Sequence, residues 1–301
     1  MALQTRSLTP KQLVPGLAAV FGMEYAKRPE LWREIFEIAT SEKAYEEEVL
    51  ESGFGLARTK GEGAGIEFDQ AREVYTSRYF HETVALGFEI TEEAQEDNLY
   101  GNVMQKYSRA LARSMRETKE VKGHAILNRG FDSTYTGGDG KELFSTAHPL
   151  ASGATFSNFL DGQQLAESSL ENAAIAVGNF TDERGLKIAA RCTKLIIPEE
   201  LKFVAARILE SPYRTQTADN DINVINKMSI VPGGAIPTPY LTDTDAWFLL
   251  TDIPNGLKHY ERVKMKMKPL PESDSGNMRF RARERYSNAW SDPRCAIAGR
   301  A

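Results

Sequence analysis

The residues able to do chemistry are few in this chain, and their spacing limits what they can do. His81, His124, His148 and His259 are scattered without the close spacing of a metal-ligand set, so neither a metal site nor a cofactor is expected. Cys192 and Cys295 are too few and too far apart for a disulfide framework or a zinc knuckle, and reduced thiols follow. Gly61, Gly63 and Gly65 do not make the G-x-G-x-x-G of a dinucleotide site, and Gly140-Lys141 lacks the preceding glycine and following hydroxyl of a phosphate loop. No G-x-S-x-G elbow is present. One arrangement has catalytic potential: in Ser145-Thr146-Ala147-His148-Pro149 a hydroxyl and an imidazole could act as nucleophile and base, giving a small hydrolase. Such a site needs an acid to orient the ring, and the spacing places none. The same residues make a self-bonded turn, which is the preferred reading, and no catalytic residue is expected.

The chain as a whole excludes several classes. Its 301 residues, 41% hydrophobic and 26% charged, suit one or two globular domains with a sizeable core. No apolar run approaches the length of a membrane span, and the first sixteen residues lack the apolar centre of a signal peptide, so a non-secreted protein with no membrane partner is expected. A formal net charge of -5 argues against a surface that grips nucleic acid everywhere, though it leaves room for a local basic face.

The positioning elements follow in order. Residues 1–30, broken by Pro10, Pro15, Gly16, Gly22 and Pro29, read as an arm with at most a brief helix near Leu17 to Tyr25. An apolar patch at Trp32, Ile35, Phe36 and Ile38 precedes the acidic run Glu42, Glu46, Glu47, Glu48 and Glu51, read as a solvated face. Phe54 to Ile90 alternates with period two around the flexible Gly61–Gly65 tip and predicts one long hairpin. So long a ribbon is marginal alone and calls for support from another element or subunit.

From Thr91 to Arg129 the period changes to 3.6, with Thr91, Glu92 and Glu93 as the opening turn, and predicts one helix of roughly 55 Å. Gly123 is the main threat to its continuity. Residues 132–161 read as a decorated loop. Helical spacing at Leu165 to Val177 and Glu199 to Leu209, with short apolar runs at Leu195–Ile197 and Trp247–Leu250, predicts a mixed α/β unit over 165–257. The clearest strand signal comes last: Val263, Met265 and Met267 alternate with Arg262, Lys264, Lys266 and Lys268, and Met278, Phe280 and Ala282 with Arg279, Arg281, Arg283 and Arg285. Eight like charges on one hairpin repel unless neutralised, and the Glu42–Glu51 run is the preferred protein partner.

In this order of parts the chain resembles a tailed-bacteriophage major capsid protein of the Hong Kong 97-like fold, closest to the Mu-like major head subunit family. The resemblance rests on the arm, the Phe54–Ile90 ribbon, the helix opening Ile90-Thr91-Glu92-Glu93, and Gly130-Phe131. It rests further on Leu143-Phe144-Ser145-Thr146-Ala147-His148-Pro149 with Ser157-Asn158 after it, and on the ending Arg283-Glu284-Arg285-Tyr286-Ser287-Asn288-Ala289-Trp290-Ser291-Asp292-Pro293-Arg294. Where the Mu-like proteins carry Trp-x-Gly-x-Arg, this chain has Leu56-Ala57-Arg58-Thr59-Lys60-Gly61.

The resemblance implies an α+β fold with an N-terminal arm (1–52), an extended loop (53–90), a peripheral domain with spine helix and inserted loop (91–164), an axial domain (165–257) and a C-terminal hairpin of the peripheral domain (258–301). It implies a non-enzymatic shell protein of the virion, assembled in the host cytoplasm as hexamers and pentamers of itself around non-specifically held double-stranded DNA. A portal belongs to that picture, and with the arm beginning almost at Met1 a separate scaffolding protein is expected. Candidate intersubunit contacts are Arg58, Lys60, Glu62 and Glu67 on the loop, with Lys264, Lys266, Arg281 and Arg283 on the hairpin. An encapsulin-like compartment, a hydrolase using His148, and a nucleic-acid binder using the basic hairpin are the competing readings.

Overall fold

The computed structural model describes residues 10–63, 65–91, 100–213, 222–270 and 277–301. In chain order its main elements are α1 (Pro10–Tyr25), β1 (Glu37–Thr40), β2 (Tyr45–Glu51), β3 (Glu73–Phe80), β4 (Glu82–Ile90), α2 (Tyr100–Asn128), β5 (His148–Pro149), β6 (Thr155–Phe156), β7 (Phe159–Asp161), α3 (Glu167–Gly178), β8 (Cys192–Pro198), α4 (Lys202–Glu210), β9 (Ala235–Thr238), β10 (Trp247–Thr251), β11 (Leu257–Pro269), β12 (Met278–Trp290) and β13 (Ala296–Arg300). A four-stranded sheet runs β1-β11-β12-β4 and a five-stranded sheet runs β7-β13-β10-β8-β9. The architecture is α+β.

Alternation explains the first sheet. Along β12, Phe280, Ala282, Glu284 and Tyr286 are buried while Arg281 and Arg283 are exposed. The inward row meets Leu111, Ala112 and Met115 of α2 and Leu17 and Phe21 of α1. The buried stripe of α2 follows the 3.6 period through Met104, Ser108, Leu111, Ala112, Met115, Lys119, His124 and Leu127. That stripe is rotated from the apolar one read in the sequence, since Tyr107 and Val121 are exposed and Lys119 and Glu120 are buried. The helix runs on through Gly123. There a Cβ would lie 2.8 Å from Cβ of Trp32, so the glycine makes room for the indole rather than for a kink. Of its expected opening turn, Glu92 and Glu93 lie outside the described residues.

The second sheet is buried on both faces, which is why its strands read as unbroken apolar runs. Trp247, Leu249, Leu195, Ile197 and Ile297 face Leu170, Ala173 and Val177 of α3 and Ala205 of α4. Phe248, Leu250, Ile196, Ala296 and Ala298 face Trp32, Phe36, Leu127, Leu143 and Phe144. Residues 296–300, grouped by sequence with the C-terminal hairpin, sit inside this sheet between β7 and β10.

Three sequence expectations are corrected. The arm helix is longer than Leu17–Tyr25, because Leu17 and Phe21 gain a buried site that offsets the local cost of Pro15 and Gly16. The Phe54–Ile90 hairpin divides: residues 52–72 form no strand among the described residues, the paired strands are β2 and β3, and β4 joins the four-stranded sheet. The acidic run is therefore largely strand β2 rather than a free charged face.

Candidate assembly surfaces

Among the described residues, the loop from Ser52 to Arg72 is tied to the rest of the chain only at its base. Ser52 N–H donates to the Arg72 carbonyl at 2.8 Å, and Arg72 N–H donates back to Ser52 Oγ at 3.0 Å. Asp69 Oδ2 accepts from Gly55 N–H at 2.8 Å and from Arg184 Nη1 at 2.7 Å. The Gly55 N–H first, then the Arg184 guanidinium, hold the Asp69 carboxyl down to about 2. Beyond this base the apolar side chains are bare: Leu56 is 83% exposed and Phe68 94%, with Phe54 and Ile66 also in water. Burying any one of them would be worth about 1.5–3 kcal/mol, so one chain leaves this loop unsatisfied. Of the predicted contacts here, Arg58 and Glu67 meet at 3.3 Å in open solvent, a geometry of little energetic weight. Lys60 and Glu62 are exposed and form no ion pair among the described residues.

The second surface is the outer face of the four-stranded sheet. Lys264, Lys266, Lys268, Arg281 and Arg283 are exposed there, and none is ion-paired among the described residues. Strand register sets Lys266 opposite Arg283 and Lys268 opposite Arg281, and facing like charges cost stability unless neutralised. The structure thus gathers the four predicted hairpin residues on one face, apart in sequence from the four on the loop. Beside them β4 sets Ala85 and Gly87 opposite Arg283 and Arg281, with Thr83 opposite Arg285 and Glu89 opposite Arg279, which it meets at 3.1 Å. Gly87 permits close strand approach, since a Cβ would stand 2.6 Å from the Phe280 carbonyl oxygen.

The acidic run expected to neutralise this face is largely engaged within its own chain. Glu46 accepts from Ser41 Oγ at 2.8 Å and Lys43 Nζ at 3.2 Å, and Glu47 pairs with Arg78. Glu48 accepts from Lys258 Nζ, from the Tyr260 hydroxyl at 2.5 Å and from Ser291 Oγ at 2.6 Å. Burial opposes its charge, but these donors outweigh it and hold the carboxyl below the usual range. This knot binds the β2–β3 hairpin to the main sheet. Period-two spacing of Glu46 and Glu48, and of Lys258 and Tyr260, is its only trace in the sequence.

The hydroxyl-histidine stretch is an interior joint. His148 is fully buried, its Nδ1 at 2.6 Å from Asp139 Oδ2 and its Nε2 at 3.0 Å from Asn158 Oδ1. The sequence reading placed no acid beside His148; the fold supplies Asp139 from the glycine turn. The amide of Asn158 has its orientation fixed, because Nδ2 donates to the carbonyls of Leu143, Pro293 and Ala296. Its oxygen therefore takes the position a nucleophile's hydroxyl would need, and also accepts from Ser145 N–H at 2.9 Å. The imidazole stacks on Phe156, over which Arg294 lies at 4.6 Å. Arg294, itself buried, bonds Asp292 at 3.1 Å and Glu183 at 2.5 Å. Sequence reasoning missed this ionic joint, because Glu183 lies more than a hundred residues from Asp292 and Arg294.

A sequence profile of the family described as phage capsid protein matches residues 74–299. No curated protein matches the sequence. Among solved structures, the virus-like particle from Pyrococcus furiosus is similar at 13% identity and TM-score 0.59, over 94% of this chain and 97% of that one. The capsid of Cyanophage P-SCSP1u is similar at 10% identity and TM-score 0.60, over 91% and 88%. An encapsulin complex from Synechococcus elongatus is similar at 12% identity and TM-score 0.51, over 100% and 90%. At these identities the likeness is one of fold.

Proposed function

Because the chain belongs to the phage capsid protein family and is a capsid shell protein with the Hong Kong 97-like fold, we propose that it is the major subunit of an icosahedral head, closing as hexamers and pentamers around packaged double-stranded DNA. Within the structure, the loop from Ser52 to Arg72 supports this reading most: anchored at its base, it offers bare apolar side chains that only another molecule can cover. Its Arg58, Lys60, Glu62 and Glu67, and the face carrying Lys264, Lys266, Arg281 and Arg283, are the proposed intersubunit contacts. The subfamily reading is Mu-like, supported by Phe144, His148-Pro149 and Ser157-Asn158, and the axial domain is assigned to about 165–257. A separate scaffolding protein and a portal complete the proposed assembly in the host cytoplasm, with no catalytic role for His148.

Negative-stain microscopy of the expressed protein tests this directly. The full chain should give shells or rings, and deletion of Thr59 to Gly65 should leave a folded subunit that fails to close. Normal particles from the deletion would refute the loop's role. The encapsulin likeness supports a second reading, a compartment around a cargo enzyme. Nuclease-protected DNA inside purified virions favours the head, and a co-purifying enzyme in DNA-free particles favours the compartment.

A further inference from the structure

The four-stranded sheet ends on β4, whose outer backbone edge pairs with no strand among the described residues. An open edge of this kind is a template for another strand, and nine residues is long enough to hold one. On the helix side of that edge Leu86 stands 47% exposed. On the other side Ala85 and Gly87 leave a lane with nothing beyond a Cβ, ended on β4 by Thr83 and by Glu89, which Arg279 and Asn277 engage. It is bordered on β12 by Arg281 and Arg283, neither of them ion-paired among the described residues. A strand laid along β4 would need apolar residues on its Leu86 side and an acid on its lane side.

The loop carries that pattern. In Gly65-Ile66-Glu67-Phe68 the apolar pair alternates with one carboxylate, and both apolar side chains are more than 70% exposed. The preceding branch, Phe54 to Lys60, shows the wrong charge for this lane, since its alternation sets Arg58 and Lys60 toward like charges. Among the described residues Glu67 pairs only with the exposed Arg58, a contact easily exchanged.

We infer that residues 65–68 of a second copy add as a fifth strand on the β4 edge, with Ile66 and Phe68 against Leu86 and Glu67 reaching Arg281 and Arg283 across the Ala85–Gly87 lane. The inference rests on the shell reading and names the surface that receives the loop. It gives the small residues of β4 a use: a longer side chain at Ala85 would stand between the carboxylate and the guanidinium groups. It also accounts for an edge strand that carries no proline and keeps Lys264, Lys266 and Lys268 away from its own edge.

The test co-assembles two variants, Ile66→Cys and Leu86→Cys, and adds a short bis-maleimide; the native Cys192 and Cys295 are buried. A covalent dimer should form in particles and be absent from the same mixture held unassembled. Amides of residues 82–90 should exchange about tenfold more slowly in particles. Glu67→Lys should block closure, and Glu67→Lys with Arg281→Glu in every copy should restore it. Intact particles that give no dimer and no added protection overturn the contact while leaving the shell reading whole. A chain that never forms particles overturns both. If Glu67→Lys closes normally and Arg281→Glu instead strips nuclease-protected DNA from otherwise normal particles, the basic lane belongs to nucleic acid and the inference fails.

Discussion

Replacing Gly299 by alanine pits two effects of opposite sign against each other. Gly299 faces Trp247 across the β10–β13 pair, and a Cβ there would lie 2.3 Å from Cε2, 2.4 Å from Cζ2 and 2.5 Å from Nε1 of the indole. The ring is fully buried and its Nε1 donates to the Gln163 carbonyl at 3.0 Å, so it cannot swing aside without orphaning that N–H. Forcing a methyl into such a site costs about 1–3 kcal/mol, and losing the indole bond would cost a similar amount. Removing a glycine from a strand returns only about 0.5–1 kcal/mol. The clash wins, and Gly299→Ala should destabilise by about 2 kcal/mol. In a Trp247→Ala background, itself costing about 3–5 kcal/mol, the same change should stabilise by about 0.5–1 kcal/mol, a coupling of about 3 kcal/mol. Urea denaturation of unassembled subunits, followed by far-UV circular dichroism, gives the four midpoints. A Gly299→Ala subunit more stable than the parent, or costs that simply add, would refute the reasoning.

The buried pair Lys119–Glu284, at 3.3 Å, offers a second cycle: Glu284→Leu alone should cost about 3–5 kcal/mol, and Lys119→Met with Glu284→Leu distinctly less, read by the same denaturation. Asp69 has its pKa depressed to about 2, so its tether of the loop base is present above the ordinary carboxylate pKa of 3.8 and lost as pH falls toward 2. Asp69→Asn should mimic that loss at neutral pH, with trypsin cutting after Arg58 and Lys60 several-fold faster; unchanged cleavage would dismiss the tether. His148→Ala should cost about 1–3 kcal/mol by removing the buried ring that Asp139 and Asn158 hold between them. A hydrolytic activity lost in that variant while its particles stay intact would revive the enzyme reading.

Much of the fold was legible where local pattern and tertiary burial agree. Strands β11 and β12 alternate Met and Phe with Lys and Arg because one face meets α2 and the other meets water. The runs at β8 and β10 read as buried because both faces are covered. The loop misled because Phe54, Leu56, Ile66 and Phe68 alternate as a strand does, yet strand geometry also needs a partner, and among the described residues none stands beside them. Glu48 was misread because its partners Lys258, Tyr260 and Ser291 lie more than two hundred residues away. Asp139 was in view only nine residues before His148, but nothing in Gly137-Gly138-Asp139-Gly140 says that the turn folds back onto the ring. The candidate contacts were legible as charges, and their registry was not.

Strand β13 sets a clock on the subunit. It is the link between β7 and β10, and it leaves the ribosome more than a hundred residues after the strand β7 that it joins. At roughly 5–20 residues per second that interval lasts on the order of ten seconds. Through it the faces that will bury Phe248, Leu249 and Trp247 lack their middle neighbour, so a nascent chain is an incomplete subunit however much of its first sheet has formed. Competence to enter a shell then arrives late and all at once, and unfinished copies in a crowded cell are less able to seed a defective lattice.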